Sequence, residues 1–211
     1  MARDRWATFD CYGTLVDWNA GIRAQLARVF GDERAGELLE RYHEVEPQLQ
    51  ADGKLSYREV LTEAMRQLGA PVEEETALAD SLPSWQPFPE VPEALGEAGH
   101  QGWKLAILSN TDRDYIEASM ERLGVPFEFA IVASEIGSYK PAFGHWRAFE
   151  ERVGTPPDVH VAASLFHDVA PANDLGLPSV WINRLGEQPR PQPTRELPDL
   201  TRLAETLEEL A

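Results

Sequence analysis

The chain has 211 residues, 43% of them hydrophobic, and a formal net charge of −17. That length suits one domain, or a core domain carrying a smaller one, and the negative charge argues against nucleic acid or an anionic membrane as a partner. No apolar run approaches the roughly 18 residues that span a bilayer, the N-terminus MARDRWATFD enters a strand with no apolar leader, and the expected location is the cytoplasm.

The first predicted element is a strand, RWATFD, which ends on Asp10 and runs into CYGT. The single cysteine, Cys11, forbids an internal disulfide and reads as a small, weakly polar residue at a strand end. From about residue 16 to 86 the pattern is helical: NAGIRAQLARVFG, ERAGELLERYHEVEPQLQADG and SYREVLTEAMRQLGA, with no convincing strand among them. The proline-rich WQPFPEVPEAL reads as the return from this insertion. Four further short apolar runs follow, WKLAILSN, FEFAIVAS, VHVAASLF and PSVWINR, alternating with helical patterns in VPEALGEAGHQG, RDYIEASMERLGV and FGHWRAFEERVG. The prolines of GEQPRPQPTRELPD, residues 186–199, predict a surface loop before a last helix.

Alternating strands and helices imply an α/β fold. The expected architecture is a doubly wound, mainly parallel, Rossmann-like sheet formed by residues 1–15 and 87–211. A small all-helical cap, residues 16–86, is inserted after the first strand. In such a sheet ligands bind beyond the carboxyl ends of the strands. Those ends supply Asp10, then Ser109, Asn110 and Thr111, then Lys140 in SYKPAFG, then His167 and Asp168. Four separate strand ends thus deliver a carboxylate, a hydroxyl–amide pair before a helix, an ammonium and a second carboxylate.

In this order the residues resemble the haloacid dehalogenase superfamily over nearly the whole chain: FDCYGT, LSNT, Lys140 before Pro141, and SLFHDVAPANDLGLPSVWINR. The resemblance implies Asp10 as nucleophile, Thr14 as a fixer of its loop, Ser109 as an anion donor, Lys140 as counter-charge to Asp10 and Asp168, and Asp168 as the base or orienter of water. Phosphatases of the superfamily carry an aspartate two places after the nucleophile, where this chain has Tyr12. A phenol does not replace a carboxylate base, whereas a halide leaves without a proton. Their metal-binding Gly-Asp pair falls here on Ala162-Ala163. The resemblance therefore implies the L-2-haloacid dehalogenase type, with no cofactor. Magnesium belongs only to the phosphatase alternative.

Substrate contacts are expected from Tyr12, Ser109, Asn110, Arg41, Trp18 and His167, with Tyr42 a further candidate. Arg41 lies where the dehalogenases carry an arginine for the leaving halide or the substrate carboxylate. His43, His100, His145 and His160 have no partner legible in the sequence. Three polar supports of the dehalogenases fall on Trp146, Ala163 and Leu165, with Ser164 and His167 as replacements. The expected partner is a small anionic molecule, and the expected assembly is a monomer or homodimer. Besides haloacid hydrolysis three alternatives remain: opening of a C–N bond in a small strained acid, a magnesium-dependent phosphatase, and a non-catalytic binding protein.

Overall fold

A computed structural model describes residues 3–211. Six strands form one sheet: β1 (Arg5–Phe9), β2 (Trp103–Ser109), β3 (Phe129–Val132), β4 (Val159–Ala162), β5 (Ser179–Ile182) and β6 (Arg195–Leu197). Their order is β3-β2-β1-β4-β5-β6, and every neighbouring pair is parallel. The chain builds outward from β1 on one side, then crosses back to β4 on the other. The crevice beyond the end of β1 is thus the topological switch point, where α/β sheets bind ligands. Asp10 is the residue that follows β1.

The period-two alternation of side chains divides the core into two layers. Ala7, Phe9, Leu105, Ile107, Ala130 and Val132 share one face of the sheet with Val91, Leu95, Ile116 and Leu207. These last four come from α5 (Val91–His100), α6 (Arg113–Leu123) and α10 (Leu203–Leu210). The opposite face buries Trp6, Ala106, Leu108 and Ile131 against Trp146 and Phe149. Those two lie on α8 (Gly144–Val153), which follows the short α7 (Ala133–Ile136) and precedes α9 (Ala170–Asp174).

Residues between Val16 and Pro87 contain α1 (Trp18–Phe30), α2 (Asp32–Gln50), α3 (Tyr57–Gln67) and α4 (Ala77–Ser81), and no extended strand. The two chain crossings meet. Val16 forms an antiparallel bridge with Pro87, and the Phe88 amide donates to the Leu15 carbonyl at 3.0 Å. A capping box at Ser56 and Glu59 starts α3. The remaining free amides of that helix are met from the sheet: the buried Asp112 carboxylate accepts from Tyr57 N at 3.0 Å and Arg58 N at 2.9 Å. No helix among the described residues is long and apolar enough to cross a membrane.

Two expectations need correction. The loop predicted over residues 186–199 contains β6, whose three residues pair with Val180, Trp181 and Ile182. Pro193 precedes the strand rather than interrupting it, and Thr194 pins its start through reciprocal bonds with Ser179 at 3.0 and 3.3 Å. A proline just outside a short edge strand removes no ladder bond. The apolar run VHVAASLF is also not all strand. β4 stops at Ala162, and Leu165–Val169 close a single turn of π-helix.

Gly21 on α1 packs directly against the insertion's return segment. A Cβ built there would lie 2.4 Å from the Trp85 ring. Gly21→Ala should therefore destabilise the protein by about 1–3 kcal/mol, although alanine has the better helix propensity. Urea denaturation measures this, and an unchanged midpoint would contradict the close packing of α1 on Trp85.

Candidate active site

The crevice beyond β1 opens into a cavity of about 410 Å³, bounded by strand ends on one side and by α1, α2 and α3 on the other. Its floor is an ion-pair network. Lys140 is 2% exposed and Asp168 1%, so neither charge is met by bulk water. The three ammonium hydrogens of Lys140 have three acceptors: Asp10 Oδ1 at 2.9 Å, Asp168 Oδ1 at 2.6 Å and the Leu108 carbonyl at 2.9 Å. Burial alone would pull the Lys140 pKa down, but the two carboxylates outweigh it and hold the ammonium above its usual range. Burial likewise opposes the charge on Asp168, and Lys140 and His160 overcome it, leaving that carboxyl below the ordinary range. Removing one partner of such a buried pair costs about 3–5 kcal/mol.

Asp10 is fixed at both oxygens. Thr14 Oγ1 donates to its Oδ2 at 2.7 Å, and Thr14 itself accepts from Ala163 N at 2.9 Å. The Asp10 amide donates to Val161 O at 3.0 Å, extending the β1–β4 ladder by one residue. Cys11 beside it is buried. Burial, reinforced by the Asp10 charge, pushes its thiol well up, so it stays protonated.

The structure brings Asp10, Ser109, Asn110, Lys140 and Asp168 together, with Tyr12, Trp18 and His167 also lining the cavity. Asn110 is not free to grip a ligand. Its Oδ1 accepts from Lys140 N at 2.6 Å, and its Nδ2 donates to Lys140 O at 3.0 Å and Gln50 Oε1 at 3.2 Å. It clamps the lysine's backbone and ties it to α2. The Tyr12 hydroxyl pairs with Ser119 Oγ at 3.0 Å, and its ring stacks with Tyr57 at 6.2 Å. Tyr42 is wholly buried, packed edge-on against Trp18 rather than lining the cavity.

Arg41 stands apart from these residues. The buried stripe of α2 runs through Leu38, Tyr42, Glu46 and Gln50. Arg41 precedes Tyr42 by one residue, about 100° round the helix, and is exposed. The α2 residues that do reach the cavity are His43, Glu46, Pro47 and Gln50.

His160 and His145 had no partner legible in the sequence, and both have one here. His160 Nε2 donates to Asp168 Oδ1 at 2.9 Å, while Nδ1 meets Thr8 Oγ1 at 2.9 Å. Trp146 covers the ring edge-on at 5.3 Å. A signal existed: Thr8 and His160 are polar residues inside buried strands, paired in register, and buried polar groups need partners. His145 Nε2 donates to Ser109 O at 3.0 Å. Burial lowers its pKa to about 3, so this ring is neutral. Ser164 Oγ meets His167 Nδ1 at 3.2 Å at the cavity wall.

Glu46 is the unexpected member. It is buried at the cavity, where among the described residues the Gln50 amide donates to it and the Tyr57 hydroxyl also acts on it. Burial raises its pKa to about 8, against a Tyr57 contribution that lowers it and with an Asp10 contribution that raises it further. Above the unfolded value of about 4.3 the native state holds a proton that the unfolded state releases, so stability falls as pH rises from there through about 8. Glu46→Gln should flatten this slope and raise the melting temperature more at pH 8.5 than at pH 5. Thermal melts across that range measure it, and parallel curves for the two proteins would contradict a raised Glu46.

Comparison with known proteins shows the family and the fold. A family model described as haloacid dehalogenase-like hydrolase matches residues 5–164. The chain is 28% identical to an (S)-2-haloacid dehalogenase of Pseudomonas sp. (strain YL), covering 96% of this chain and 94% of that protein. It is 27% identical to (S)-2-haloacid dehalogenase 4A of Burkholderia cepacia, covering 88% and 85%. It shares the fold of the L-2-haloacid dehalogenase of Xanthobacter autotrophicus, solved with chloropropionic acid covalently bound. That match has a TM-score of 0.84 at 19% identity, over 99% of this chain and 100% of that one. With the match spanning more than half its length, the chain belongs to the haloacid dehalogenase-like hydrolases.

Proposed function

We propose that the protein hydrolyses a small 2-substituted carboxylate, most simply an L-2-haloacid, by displacement on an Asp10 ester and without a metal. The observation that carries the reading is the Lys140 ammonium held between Asp10 and Asp168. It sets a cation against a buried carboxylate on the floor of the cavity, which is what a carboxylate nucleophile needs. One Asp10 oxygen attacks C2, the leaving group departs with the bonding pair, and an ester forms. Water then adds to the ester carbonyl of Asp10 with Asp168 taking its proton; the intermediate collapses, the departing alkoxide takes that proton back from Asp168 to give the 2-hydroxy acid, and Asp10 is restored as its carboxylate by losing the remaining proton to solvent.

Roles for the other residues follow from their contacts. Asp168 Oδ1 is bound to Lys140 and His160, while Oδ2 has no protein partner among the described residues and is the oxygen that would take the proton. Ser164 and His167 line the same wall and stand in for the polar supports absent at Trp146, Ala163 and Leu165. Thr14 and Asn110 are positioning residues for Asp10 and Lys140. Ser109 offers its hydroxyl to the substrate carboxylate, and Tyr12 and Trp18 supply apolar walls. The helical insertion, residues 16–86, acts as a cap. The relatives named (S)-2-haloacid dehalogenase support the leaving group.

The magnesium-dependent phosphatase alternative fits these residues poorly. The Tyr12 phenol, held well above its ordinary range by burial, is tied to Ser119 and cannot serve as a carboxylate base. The ammonium of Lys140 fills the space between the two carboxylates. Among the described residues no group of three His, Cys, Asp or Glu side chains is arranged to hold a metal.

The deciding experiment is halide release from L-2-chloropropionate in EDTA. Release is expected in the wild type, and Asp10→Asn should lower kcat by more than about 10³ with the fold intact by circular dichroism. Release only after added Mg²⁺, or substantial activity in the variant, would refute the reading. His160→Leu, which leaves Asp168 oriented by Lys140 alone, should lower kcat about 10–100-fold with KM nearly unchanged. Steady-state kinetics at several pH values check this, and an effect confined to KM would place His160 outside the hydrolytic step.

A further inference from the structure

The α1–α3 side of the cavity has a composition that a plain haloalkanoate does not require. Its walls there are Trp18, His43, Glu46 and Tyr57. Trp18 Nε1 donates to the Tyr57 hydroxyl at 3.3 Å, and the Trp18 ring stacks on His43 at 5.1 Å, so both aromatic walls are fixed. Glu46, which lines the same cavity, is 6% exposed. The side chains packed round it are Tyr42 and Gln50 from α2 and Tyr57 from α3, and Asp10 acts on it from the end of β1. None is a cation. Lys140 is the only lysine or arginine lining the cavity among the described residues, and its three hydrogens are already committed.

A buried carboxyl without a counter-charge is costly, and leucine would be the cheaper residue if the cavity held only an alkyl group. The cost is offset if the ligand brings the positive charge. Aromatic rings beside a carboxylate form surroundings that favour an ammonium group.

We propose that Glu46, Trp18 and Tyr57 form a subsite for a primary ammonium group, and that the substrate is accordingly a small 2-substituted carboxylate that also carries an amine. This rests on the reading of Asp10 as nucleophile for a small carboxylate and narrows the class of acid. The ammonium is retained as a recognition group. When it enters, Glu46 gains its missing counter-ion and binds it ionised.

Binding can be tested without turnover, which separates this proposal from the reaction. Isothermal titration calorimetry of the full-length wild type at pH 7.5 would compare 3-aminopropionate with propionate. The amino acid should bind at least tenfold more tightly, and Glu46→Gln should remove that preference. Propionate binding equally well or better, no measurable binding of 3-aminopropionate, or a folded Glu46→Gln that keeps the preference would each overturn the subsite. The wild-type comparison decides even if the variant does not fold. Halide release from 3-amino-2-chloropropionate against 2-chloropropionate gives the second arm. A tenfold or greater advantage in kcat/KM for the amino compound is expected. Equal rates on both would overturn the ammonium subsite while leaving the Asp10 reaction standing, whereas failure of the reaction itself would leave the calorimetric result to decide.

Discussion

The structure depends on one buried cation. Lys140 reaches the sheet from the loop after β3 and is, among the described residues, the cation shared by Asp10 and Asp168. Two carboxylates without it would repel, and one would take up a proton. Much of the surrounding architecture holds that ammonium in place. Asn110 grips the lysine's backbone at both its amide and its carbonyl, the Leu108 carbonyl takes the third hydrogen, and His160 shares the Asp168 oxygen that Lys140 uses. The parallel sheet matters because it delivers residues far apart in the chain to one edge.

The network is polar on one side of the sheet and apolar on the other. Thr8, His160, Trp146 and Asp168 lie in or beside the smaller core layer, in which Trp6, Ala106, Leu108 and Phe149 pack. Such a layer has few routes for water, so the charges keep their effect on one another. Buried polar groups need partners; the Thr8–His160–Asp168–Lys140 chain supplies them at Asp168 Oδ1 and leaves Asp168 Oδ2 open.

The fold is legible in the sequence because its signals are local and repeated: five apolar runs at strand length, helical periods between them, and about seventy residues of helical segments with no strand among them. β6 was not, since three residues with one buried position carry no period, and the prolines nearby dominated the reading. At the site, Asp10, Lys140 and Asp168 could be found because each sits at a strand end or in the loop just beyond one. His160 and Glu46 could not. Their roles depend on which face of an element meets which neighbour, a tertiary fact. Arg41 shows the same limit from the other side. Spacing along α2 placed it near the cavity, but one residue of helical rotation separates Arg41 from the face that reaches it.

The helical insertion leaves and rejoins the sheet at one point, where Val16 bridges Pro87. A seventy-residue excursion whose ends coincide places almost no geometric demand on the strands beneath it. Away from Gln50, which ties α2 to the Asn110–Lys140 clamp, and from the start of α3, which Asp112 caps, substitutions among α1 to α4 leave Asp10, Lys140 and Asp168 in place. The lining that the helices give the cavity can therefore vary more freely than the ion-pair network on its floor.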